Sequence, residues 1–128
     1  MLDDEQQDLL KQGIDLFNQG EFFEAHEFFE VLWQQSLEDS DREQFLFCVR
    51  ISAAGVHLSN ESFSSLFLFQ LAQKQLEKGL NITFLDASCL DEQLQKLINL
   101  IEKSQRSELK QISKKTNLEL KPLDYKEF

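Results

Sequence analysis

A histidine and three glutamates stand close together in the run 22–33, FFEAHEFFEVLW. His26 and Glu30 are one helical turn apart, a spacing at which an imidazole and a carboxylate can hydrogen-bond or share a metal ion. Glu27 follows His26 directly, so on a helix it rotates away toward solvent. Further along, Arg50, Ala53, Ala54 and His57 recur at helical spacing, with two small residues between the long polar ones that let a neighbouring helix come close. If the two segments pack together, His26, Glu30, Arg50 and His57 form one constellation, and two readings of it are open. With His26, Glu30 and His57 as ligands it suits a divalent ion such as zinc with one open position, and Glu27 would act as general base on the bound water. The pattern H-E-x-x-E lacks the second histidine of the zinc-binding H-E-x-x-H, and a cation at Arg50 opposes a metal beside it. The other reading, which the residues favour, is a buried and internally satisfied His/Glu/Arg cluster that fixes helix register and binds no cofactor. There Glu30 bonds Arg50 or His26, since an unpaired buried charge costs several kcal/mol.

The elements that must position these residues are helices. Apolar residues recur at three- and four-residue spacing through most of the chain, and Pro122 is the only proline. A first helix is expected over 4–18, with Leu9, Leu10, Ile14 and Phe17 as its apolar stripe and Gly20 in the turn after it. A second over 21–37 returns antiparallel, and its projection puts Phe22, His26, Phe29 and Trp33 on one inward stripe. Trp33 should then be buried, so that its replacement by alanine costs roughly 3–5 kcal/mol. Ser40 and Glu43 fit a capping box for a third helix over 41–58, and Asn60 can cap a fourth over 61–78, whose Phe63 and Phe67 make either a dimer face or a central helix. A fifth covers 90–104, capped by Ser88 or Asp91. From about residue 115 the alternation of Leu118 and Leu120 before Pro122 predicts an extended tail, on which Lys114 and Lys115 border as solvated charges. The expectation is therefore an all-α fold: one domain over 1–128, a compact bundle of about five helices with an extended C-terminal tail.

The run LFNQGEFFEAHEFFEVLW, residues 16–33, resembles the signature of the domain of unknown function 309 family, approximately LFN-x-G-x-[FY]-[FY]-E-A-H-E-x-x-E-x-x-W. VHLSN, residues 56–60, is similar to the family's aromatic-His-Leu-x-Asn, and beyond Asn60 only the helical pattern is shared. The resemblance implies a small all-helical domain, sometimes catalogued as a metal-dependent hydrolase without an established reaction. It singles out His26, Glu27, Glu30 and Trp33, and with them His57 and Asn60. Gly20, Phe22 and Ala25 are also spaced as in the turn of a tetratricopeptide hairpin, a fold that holds peptides.

Composition narrows the partners. Twenty-three acidic residues against 13 basic ones leave a net charge of −10, which opposes nucleic acid and anionic membranes. No apolar stretch reaches the ~20 residues of a membrane span. Cys48 and Cys89 stand alone, as reduced thiols would, and a cytoplasmic location is expected. A protein partner or a second copy of the chain stays open. Residues 103–128 carry seven basic and four acidic side chains, whereas 1–43 carry two and 13. That attraction is screened, so the tail docks only if its apolar residues also pack. On these grounds a non-catalytic structural or interaction module is the favoured function, and a metal-dependent hydrolase using H-E-x-x-E is the alternative.

Overall fold

Residues 2–115 and 118–122 are described by the computed structural model, and they fold as helices in the order α1 (Asp4–Asn18), α2 (Phe22–Gln35), α3 (Asp39–Ser59), α4 (Ser64–Glu77), α5 (Leu90–Glu102), a short 3-10 turn (Arg106–Glu108) and α6 (Leu109–Lys115). The fold is all-α. Each of the first four helices packs on the next in sequence, α4 meeting α5 after the loop 78–89, and α6 returns onto α3. The central element is thus α3, which touches α2, α4 and α6. No helix among the described residues is long and apolar enough to cross a membrane.

Local chemistry explains most boundaries. Asp3 caps α1 by accepting from the Gln6 N–H at 2.8 Å, while Gln6 Oε1 accepts from the Asp3 N–H at 3.2 Å. Gly20, at φ 84°, makes the reversal into α2 that a side chain would strain. The expected capping box at Ser40 is not formed: α3 begins two residues earlier, after Glu38, so Ser40 already lies inside its first turn. Asn60 caps no fourth helix either. It ends α3, its N–H donating to Val56 and His57 carbonyls at 3.1 Å, and Glu61 follows in the left-handed region at φ 58°. α5 starts after Cys89 without a side-chain cap, because the Ser88 hydroxyl and N–H both donate to Asp86.

α6 lies beyond the expected five helices. Seven residues with only Leu109 and Ile112 as apolar anchors are too short to hold a helix alone, and it is their burial against α3 that does so. The tail segment 118–122 is extended as expected, and it is docked. Leu118 and Leu120 are buried, the Asn18 side chain both donates to the Leu120 carbonyl (2.8 Å) and accepts from its N–H (2.9 Å), and Asp86 N–H donates to Lys121 O at 2.8 Å beside an isolated antiparallel bridge between Leu85 and Pro122. The rest of the expected tail, 116–117 and 123–128, lies outside the described residues.

α2 is set between its neighbours by two aromatic knobs. An added Cβ at Gly13 of α1 would stand 2.7 Å from the Phe29 ring, and one at Gly55 of α3 would stand 2.4 Å from Phe22. Both distances are well inside contact, so each glycine is a socket for one ring, and the loss of helix propensity at a mid-helix glycine, about 1 kcal/mol against alanine, is offset by the aromatic surface it lets bury. Phe29 and Ala25 are wholly buried between α1 and α3.

Candidate functional site

The knobs decide where the polar residues of α2 go. Its buried residues are Phe22, Ala25, Phe29 and Leu32. The centre of that stripe lies about 80° away from His26 and about 60° from Trp33 at 100° per residue, so both come to the edge of the core. This corrects the sequence projection, which gave equal weight to His26 and Trp33 and missed Ala25 and Leu32. His26 Nδ1 lies 3.6 Å from Glu30 Oε2, with 25% and 42% of the two side chains exposed. Glu30 Oε1 in turn accepts from Gln34 Nε2 at 3.3 Å, extending the row along the same helix. Trp33 is half-buried, and the Arg42 guanidinium of α3 lies 5.3 Å from its ring centroid. Glu27 is exposed.

On α3 the buried side includes Ile51, Ala54, Gly55 and Leu58, which leaves Arg50, Ala53 and His57 half-buried along its margin and Asn60 exposed. Of the two partners expected for Glu30, His26 lies beside it at ion-pair distance, beyond hydrogen-bond length. No bond joins Glu30 to Arg50 among the described residues, and the polar set is a surface row and not a buried cluster. Of the three donors considered for a metal, His26 and Glu30 come together on α2. Among the described residues no group of three or more His, Cys, Asp or Glu side chains is arranged to hold a metal ion, and His57 does not join His26 and Glu30 in one.

A second feature lies at the other end of α2. Where the α1–α2 turn meets the ends of α3 and α6, Phe17, Phe22, Ser59, Lys110, Ser113 and Lys114 line a cavity of about 360 Å³. Phe17 and Phe22 meet edge to face there, centroids 5.2 Å apart at 70°. Asn18 and Gly20 of the turn also border it. Sequence reasoning missed this place, because Lys110 and Lys114 reach it only through α6. The available signal was Asn18, a polar residue at a helix end for which the periodic pattern offers no partner.

The family model of the domain of unknown function DUF309 matches residues 10–66. Over that region the chain is similar to the DUF309 family. The match runs from α1 through α2 and α3 into the first turn of α4, so it takes in both glycine sockets, the knobs that fill them and the His26 row, and it stops short of α5 and α6. No curated protein and no solved structure matches the chain. Within the DUF309 region, the residues of the family run fall into two kinds: Phe22, Ala25 and Phe29 weld three helices together, while His26, Glu30 and Trp33 lie at the rim of that weld.

Proposed function

We propose that this chain is a non-catalytic interaction module of the cytoplasm, whose recognition face is the row His26, Glu30 and Trp33 with Arg42, and whose partner is a protein or a second copy of the chain. The observation that carries this reading is that the row is paired locally and half-exposed: His26 to Glu30, Glu30 to Gln34, Trp33 to Arg42. Tryptophan and arginine are the residues that dominate binding energy at protein interfaces, and side chains held in place before a partner arrives lose little freedom on binding. The net charge of −10 supports a partner other than nucleic acid.

The alternative reading, a metal-dependent hydrolase with Glu27 as base, makes a different demand on the same residues. Elemental analysis of protein purified without a metal-affinity tag separates the two. A folded, metal-free protein is the expected result. Near-stoichiometric zinc, manganese or iron that disappears with His26→Ala would overturn the interaction module.

A further inference from the structure

The cavity at the α1–α2 turn has the size of a small-molecule site, for which volumes of roughly 300–1,000 Å³ are usual. Its charge runs against the rest of the chain. Acidic residues outnumber basic ones 23 to 13, yet the described lining contains Lys110 and Lys114 and no carboxylate. The two lysines stand one turn apart on α6, where like charges repel, and neither is paired with a carboxylate among the described residues. The serines cannot take over the donor role. Ser59 Oγ donates to Gly55 O at 2.9 Å and Ser113 Oγ to Lys110 O at 2.6 Å, so an anion entering the cavity is met by the two ammonium groups. Beneath them the edges of Phe17 and Phe22, both otherwise buried in the core, close the cavity, and Phe22 is held in place by the Gly55 socket.

We infer that this cavity binds a small organic anion, its carboxylate or phosphate held between Lys110 and Lys114. Leu118 forms part of the wall, and Asn18, at the rim, clamps Leu120, so occupancy and docking of the tail support each other. The site shares no residue with the His26 row, and either assignment can fail without the other.

The test is a titration of the full chain followed by ¹H–¹⁵N correlation spectra, with benzoate and phenyl phosphate as probes and benzamide as the uncharged control. Both anions should give saturable shifts centred on the amides of Gly20, Ser59 and Ser113, and the tighter of the two identifies the head group. Exchanging both lysines for glutamine, Lys110→Gln with Lys114→Gln, should weaken binding about tenfold or more while the remaining spectrum stays in place, since both side chains are exposed. Absence of saturable shifts at those amides with either anion overturns the inference. So does benzamide binding as tightly as benzoate, or a double variant that binds as well as the natural chain.

Discussion

Between α1 and α3 the chain is joined by large rings set into gaps, whereas the irregular segments around Thr83 and Leu120 are tied down by single amide side chains. Phe29 over Gly13 and Phe22 over Gly55 are of the first kind. Of the second kind are Asn18 on Leu120, and Gln44, whose Oε1 accepts from the N–H groups of Thr83 (2.7 Å) and Phe84 (3.3 Å) while its Nε2 donates to the Thr83 hydroxyl at 3.1 Å. Stacking of Phe45 on Phe84, centroids 5.2 Å apart at 16°, adds to that second clamp. The difference teaches where local order comes from. Ring-and-socket packing stabilises through buried apolar area spread over three helices, while an amide clamp contributes a few hydrogen bonds at one point and leaves the segment it holds able to open alone.

The comparison would break first at Phe29. Phe29→Ala should cost about 3–5 kcal/mol in urea denaturation, because the ring is wholly buried. Trp33→Ala should cost less, roughly 1–3 kcal/mol, since that ring is only half-buried at the rim. Equal losses would move the His26 row into the core.

The socket itself is tested next. Gly55→Ala should destabilise by about 1–3 kcal/mol in the natural chain through overlap with Phe22. Introduced into a Phe22→Leu background the same change should lose most of its cost or become favourable, because alanine is the better helix former. An equal penalty in both backgrounds would mean that Phe22 is not what fills the gap.

A smaller effect is expected at the clamp. Asn18→Ala removes two hydrogen bonds and should cost about 1–3 kcal/mol. Its signature is local: hydrogen exchange should accelerate at the Leu120 amide and leave the amides of α2 protected. Uniform acceleration would make the tail part of the same cooperative unit as α1 to α3.

The smallest change concerns the two thiols. Cys48 lies in the apolar interior of α3, where burial pushes its thiol up to about 12, whereas Cys89 is exposed before α5. At pH 8 an aromatic disulfide reagent should therefore titrate Cys89 rapidly and Cys48 only on unfolding. Fast reaction of both would show that α3 opens more readily than its packing implies.

Much of this was legible in the sequence, for reasons that differ by residue. α1 was readable to its last residue because its apolar spacing and Gly20 mark one face and one end. The paired spacing of His26 and Glu30 was readable too, and the two side chains come within 3.6 Å of each other. Their depth was not. A projection places residues around a helix but does not say which direction is inward, and that is set by Gly13 and Gly55, whose role needs the partner ring to be in place. The link from Asn18 to Leu120 spans 102 positions and leaves no periodic trace, and α6 rests on two apolar residues that no local pattern distinguishes from a loop.

The claim at the centre is that the His26 row is a locally paired surface and not a metal centre, and calorimetric titration of tag-free protein with zinc addresses it most directly. No saturable one-to-one heat is expected, and His26→Ala and His57→Ala should leave the trace unchanged. A one-to-one site that is lost with either histidine would contradict it.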